Sequence, residues 1–256
     1  MCARLFASLL LGLLCCHSAV SEELRLVTGD DYAPFTGKML PAGGMLTQVV
    51  QAVLALSDID STLDWQPWNR GYLKTLRGEY DATFPYVPTP EREKEYIYSA
   101  PLLVVEHHIF SRSNDPIEAL DPEQIRGRSV CIPLGWQPST LLQGFLDQGV
   151  VRRHSPIGIK ECARLVLIGR DDFFVADRRL GDTALQLIGA NNGQLQRSAE
   201  MISTSSLHLI VPHNHPRGSL IIAQFDAGLD RLMVSGAYQQ VIEGYIESRA
   251  LVQSSQ

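Results

Sequence analysis

The side chains in this chain best suited by type to metal or acid–base chemistry are two histidine groups, His107-His108 and His213-Asn214-His215, and the adjacent acids Glu22-Glu23 and Asp171-Asp172. A zinc site needs three or four converging ligands. His213 and His215 have no obvious third ligand and are bracketed by Pro212 and Pro216, so they read as a surface loop. His107 and His108 fall in an apolar β-rich run, where successive side chains point to opposite faces. Adjacent acids suit a solvated turn better than a general acid–base pair. No Rossmann or Walker glycine loop, G-x-S-x-G or H-E-x-x-H is present.

The cysteines depend on what is exported. The segment MCARLFASLLLGLLCCHSAVSEE has one early arginine, an apolar run from Leu5 to Cys16, then small and polar residues. That is the layout of a secretory signal peptide, and residues 1–21 are assigned to it. The run is too short to span a bilayer core of ~30 Å. Leu14 before Cys15 and Cys15 before Cys16 do not provide the small residue that lipidation needs. Removal of the leader leaves two of five cysteines, Cys131 and Cys162. In an oxidising compartment an even pair points to a disulfide; the alternative is two buried thiols. A periplasmic location follows from the same reading, with no membrane span in the mature chain. The formal charge of −6 argues against nucleic acid, whose binding rests on Lys and Arg neutralising phosphates.

The elements that must hold any site alternate. LRLVT reads as a buried strand, GGMLTQVVQAVLAL as a helix with Leu46, Val49, Val50, Val53 and Leu54 on one face, and STLDWQPW as a strand. Tyr72, Leu73 and Leu76 mark a helix stopping at Gly78, and EYDATFPY a third strand. The long run PLLVVEHHIFSR can leave one sheet and enter another. After DPEQIRGRS the alternation restarts: SVCIPL, VVRRHSP and DDFFVA as strands, with PSTLLQGFLDQG (apolar face Leu141, Leu142, Phe145 and Leu146) and IKECARLVLIGR as helices between them. SSLHLIVP is a strand. The tail from Arg217 to Ser248 is helical, striped by Leu220, Ile221, Phe225, Leu229, Leu232 and Met233. Two βαβ sets joined by long strands predict an α/β fold of two lobes, each a mostly parallel sheet flanked by helices. Residues 22–110 and 207–256 form lobe 1 and residues 111–206 lobe 2. Ligands in such sheets sit beyond the carboxyl ends of strands, here across a cleft.

Four segments, in this order of elements, resemble the extracellular solute-binding proteins of family 3, the amino-acid-binding class of type II periplasmic binding proteins. In LRLVTGDDYAPFTG, Tyr32 matches the family's cleft tyrosine; the alternative is packing under Pro34 and Phe35. In DATFPYVPTPEREKEYIYSAP, Thr89, Arg92, Ser99 and Pro101 match, and the resemblance gives Arg92 the bidentate clamp on a ligand carboxylate. The serines expected beside that carboxylate are replaced by Pro85 and Val87. The other reading of Arg92 is an ion pair within the charged run Glu91 to Glu95. In SVCIPLGWQPST, Gly135 matches a turn that opens a helix toward the carboxylate, while Trp136 and Gln137 stand in for a hydroxyl pair. In IGRDDFFVAD the pattern G-R-x-D-x-x-x-x-D is met by Gly169, Arg170, Asp172 and Asp177, and the resemblance makes Asp177 the acceptor for a ligand ammonium. The alternative is a helix N-cap. WNRGYLKTL adds Trp68 and Arg70 as cleft candidates.

The implied activity is capture of a small polar, zwitterionic or amino-acid-like ligand by closure of two lobes, without cofactor or catalysis, for an ABC-type permease or a membrane sensor. Two rivals are a dehydratase on the same fold, which needs a general acid in the cleft, with Asp30, Asp31 and Asp177 the candidates, and an interaction module that binds no ligand.

Overall fold

The computed structural model describes residues 23–190 and 193–254. The expected leader, and with it Glu22, lies outside the described residues. Strands Leu24–Thr28 (β1), Ser61–Trp65 (β2) and Ala82–Tyr86 (β3) form a parallel set in the order β2-β1-β3. The helices Met45–Leu56 (α1) and Trp68–Leu76 (α2) make the crossovers. All five residues assigned to the α1 apolar face are buried. On α2, Gly71 and Thr75 are buried instead, and Leu73 is exposed. A Cβ on Gly71 would meet Val27 at 3.4 Å, so the helix lies on β1 through its smallest side chains and turns Leu73 outward.

A short helix Pro90–Glu93 (α3) and strand Tyr96–Tyr98 (β4) lead to Leu103–Arg112 (β5). Next come Pro122–Ile125 (α4), Ser129–Cys131 (β6), Thr140–Asp147 (α5), Arg152–His154 (β7), Ile159–Leu167 (α6), Phe173–Asp177 (β8), Arg178–Leu187 (α7) and Leu195–Arg197 (β9). Strand Ser203–Pro212 (β10) and helices Gly218–Val234 (α8) and Ala237–Ser254 (α9) complete the chain. β6 runs parallel to both β7 and β8.

The two α/β lobes are joined by the ten-residue strands β5 and β10. β10 gives residues 208–212 to β3 and β4, and residues 203–207 to β5. β5 in turn gives residues 107–111 to β8. The sheet path is β2-β1-β3-β10-β5-β8-β6-β7. On α8 the buried stripe is Ile221, Ile222, Phe225, Gly228, Leu229 and Leu232. Of the expected stripe Ile221, Phe225, Leu229 and Leu232 are buried, while Leu220 and Met233 at its margins are exposed, as is Leu141 on α5 beside the buried Leu142.

The second lobe holds a disulfide and a bonded pair of acids. Cys131 on β6 and Cys162 on α6 are joined with Cα atoms 5.4 Å apart. Asp171-Asp172 is not a solvated turn. Asp171 is buried and its Oδ2 lies 2.9 Å from His154 Nδ1. Asp172 accepts from the Ser129 amide at 2.7 Å and from Arg112 at 3.3 Å. The two acids tie β8 to the neighbouring β6 and β7, which the adjacency of the pair does not reveal.

Candidate ligand-binding cleft

Past Thr28, the end of β1, the chain closes a tight loop. Thr36 Oγ1 donates to the Gly29 carbonyl at 2.9 Å, and the Tyr32 amide donates to the Thr36 carbonyl at 3.2 Å. A Cβ on Gly29 would lie 2.2 Å from the Trp68 indole, so only glycine lets Trp68 cross this strand end. Trp68 Nε1 donates to Asp31 Oδ1 at 2.6 Å. Burial pushes the Asp31 carboxyl up, and the Trp68 bond only partly offsets it. The Tyr32 ring is wedged among Phe35, Trp68 and Trp136, with centroids 5.1, 5.7 and 4.9 Å away. Its contact with Phe35 and its exposure to the cleft therefore coexist.

A cavity of about 420 Å³ opens between the lobes. Seven of the eight ligand-binding candidates line it: Tyr32, Trp68, Thr89, Arg92, Gly135, Trp136 and Asp177. Arg70 is exposed on α2 and does not line it.

Arg92 reaches the cavity from α3. Thr89 caps that helix by accepting from the Arg92 amide at 3.3 Å. The guanidinium lies 4.9 Å from the Tyr86 ring centroid and donates from Nη1 to the Val87 carbonyl at 3.1 Å. Among the described residues it pairs with no carboxylate, the nearby acids Glu91 to Glu95 included. Pro85 and Val87 line the same wall and offer no hydroxyl. The Tyr86 face takes up part of that surface, an arrangement that favours a cation through the ring quadrupole. Burial pushes the Tyr86 phenol up to about 12, against the pull of Arg92.

Asp177 ends β8 and is almost fully buried, at 3% exposure. Its Oδ1 accepts from the Arg179 and Leu180 amides at 2.9 and 3.3 Å, so it caps α7. Among the described contacts Oδ2 makes none. A single side chain thus caps α7 and lines the cavity. Burial drives the Tyr32 hydroxyl well above its ordinary range; the Asp177 charge adds to this and the Arg92 charge opposes it. That hydroxyl therefore lies in the field of both ions.

From the second lobe, Gly135 turns with φ of 86°, and the Trp136 amide donates to the Pro133 carbonyl at 3.0 Å. A Cβ at Gly135 would stand 3.0 Å from Asn69 Oδ1 and 3.3 Å from Trp68 Cβ, so the lobes touch at this turn. The helix expected to open here starts only at Thr140, capped by the Ser139 hydroxyl. Pro138, Ser139 and Thr140 carry the chain from the turn to α5 along the cavity.

His107, Ser203 and Ser205 also line the cavity, and sequence reasoning missed them. They reach it only through the register of β5 and β10, which no local motif reveals. Burial lowers the pKa of His107, with Asp177 acting in the opposite direction. His108 points the other way, to the Ser198 carbonyl at 3.1 Å. In the loop after β10, His213 Nε2 lies 3.0 Å from the Glu93 carbonyl and His215 Nε2 3.1 Å from Asp81 Oδ1. Among the described residues no three His, Cys, Asp or Glu side chains gather as a metal site, and no helix is long and apolar enough to cross a membrane.

Residues 24–248 match the model of the bacterial extracellular solute-binding proteins, family 3. No curated protein matches the sequence. Among solved structures, a histidine kinase sensor domain with similarity to periplasmic binding proteins aligns at TM-score 0.74 and 19% identity, over 88% of this chain and 96% of that one. The GluR0 ligand-binding core from Nostoc punctiforme in complex with L-glutamate aligns at 0.71 and 17%, over 87% and 98%. The arginine-, lysine-, histidine-binding protein ArtJ from Geobacillus stearothermophilus aligns at 0.71 and 17%, over 88% and 95%. The fold they share with this chain is that of the type II periplasmic binding proteins.

Proposed function

The chain belongs to the bacterial extracellular solute-binding proteins, family 3, and from that membership we propose that it captures a small zwitterionic, amino-acid-like ligand between its lobes and catalyses nothing. The observation that carries this reading is a single cavity lined by both Arg92 and Asp177, with the Tyr32 hydroxyl in the field of both. The guanidinium clamps the ligand carboxylate, Asp177 Oδ2 takes the ammonium, and Tyr32, Trp68 and Trp136 enclose the carbon skeleton. Each charged group alone faces a hydrated cleft, and closure brings both onto one molecule. That makes closure depend on the ligand carrying both signs. An affinity of ~1 μM corresponds to about −8 kcal/mol, within reach of two desolvated charge contacts.

The moving parts are lobe 1, residues 22–110 and 207–256, and lobe 2, residues 111–206, exported to the periplasm behind the leader 1–21. The closed form is presented to an ABC-type permease or a membrane sensor. Calorimetry of the exported chain with amino acids, amines and small carboxylates tests the reading. Zwitterions should bind, and molecules carrying either charge alone should not. Equal binding of an amine and the corresponding amino acid would overturn the role of Arg92.

A further inference from the structure

Three residues from distant parts of the chain fall on one rung of the sheet. His107 on β5 is the register partner of Ser203 on β10 to one side and of Asp177 on β8 to the other. Directly paired residues place their side chains on the same face, and all three line the cavity. Neighbouring strands lie ~4.8 Å apart, so the rung reaches across the cleft floor from the buried carboxylate to a hydroxyl. Ser205, two residues along β10, is on the same face.

The imidazole is poised between hydroxyls. Nδ1 lies 3.2 Å from Ser203 Oγ and Nε2 lies 3.4 Å from Ser205 Oγ. The first distance is at the upper end of the hydrogen-bond range and the second beyond it, so Ser205 above all can turn to a third partner at little loss. A neutral imidazole carries one donor and one acceptor, and a hydroxyl carries both. The group can therefore present a donor and an acceptor side by side.

We propose that His107, Ser203 and Ser205 form a ligand subsite on the cleft floor that selects zwitterions bearing an uncharged hydrogen-bonding group, of the carboxamide kind, about one strand spacing from the ammonium held by Asp177. This rests on the zwitterion reading above. An apolar tail at this position leaves the histidine and serines without new partners while stripping their water. A cationic tail finds no free carboxylate on the rung, because Asp177 is already committed to the ammonium.

Calorimetry of the full exported chain with L-glutamine, L-norleucine and L-lysine tests it. Glutamine should bind at least tenfold more tightly than the other two. Ser205→Ala, a small change that leaves strand pairing intact, should weaken glutamine three- to tenfold without weakening norleucine. His107→Phe should bring glutamine down to the norleucine value. If the three bind wild type equally, the zwitterion reading stands and this subsite is wrong. The subsite is equally wrong if Ser205→Ala weakens glutamine and norleucine alike. If none of the three binds, both ideas fall.

Discussion

At Asp177 the two carboxylate oxygens have different surroundings, Oδ1 closing the first turn of α7 and Oδ2 without a described partner, on a side chain that lines the cavity. Substitutions can separate the two roles. Asp177→Asn keeps an oxygen for the cap but removes the charge, so the melting temperature should hold while a zwitterion loses at least tenfold in affinity. Asp177→Ala should lose binding as well, and also about 1 kcal/mol of cap energy, which lowers Tm by roughly 2–4 °C in a chain of this size. If Asp177→Asn binds like wild type, the carboxylate serves only the helix. Arg92→Lys keeps a cation near Tyr86 but loses the planar fork, and calorimetry should show a loss of at least tenfold. The sequence placed Arg92 and Asp177 at the cleft because both sit in local motifs, and both line the cavity. It did not reveal His107, whose place at the cavity depends on facing Asp177 and Ser203 across strands that meet only in the folded sheet.

Between elements, the clearest ties are a covalent one and an ionic one. The Cys131–Cys162 bond fastens α6 to β6 across a separation of 31 residues. In the chain-entropy model such a closure contributes roughly 3–4 kcal/mol. Replacing both cysteines by alanine should lower Tm by roughly 6–16 °C on that basis; an unchanged transition by calorimetric scanning would show the bond to be dispensable. The ionic tie centres on Asp81 just before β3, which receives the Arg25 guanidinium at 2.7 Å, the Arg25 amide at 2.8 Å and His215 at 3.1 Å. Burial alone would raise this carboxyl, but the Arg25 and His215 bonds outweigh it and hold it below its ordinary value. A depressed carboxyl stabilises the fold above its unfolded pKa of ~3.9 and loses that stabilisation as pH falls through the folded value. Wild type should therefore lose Tm below about pH 4 more steeply than Asp81→Asn, which should start lower at pH 7. Parallel curves would sink the assignment. Helices with a dominant apolar face, such as α1, were legible from periodicity. The burial of Leu142 rather than Leu141, and of Ile222 rather than Leu220, depends on how each helix is rotated against its sheet, which periodicity fixes only to within a residue.

For the molecule as a whole, the lobes approach each other closely at Gly135. Gly135 has both a positive φ and less than a side chain's room before Asn69 and Trp68. Gly135→Val should hold the cleft ajar. Small-angle scattering should then give a larger radius of gyration with amino acid present, and affinity should fall at least tenfold. A closed, fully active Gly135→Val would show that the lobes do not approach at this turn. The alternation of strands and helices made the two-lobed plan legible. The closeness of the approach was not, since it depends on which side chains face each other once both lobes exist.

The position of β10 between β3 and β5 has a consequence for the order in which the protein can assemble itself. A polypeptide that emerges amino end first delivers β1, β2, β3 and α1 long before the strand that lies beside β3 and the helix α8 that packs against α1. Val49, Val50, Val53 and Leu54, all buried in the finished structure, wait for partners such as Phe225 and Leu229. The segment with β6, β7 and β8, by contrast, has its parallel strands and the α6 disulfide partner within one uninterrupted stretch. The middle of the chain can therefore settle first, while its beginning stays adhesive until its end arrives. A chain stopped before Ser203 should aggregate, and a holding chaperone should bind it through α1.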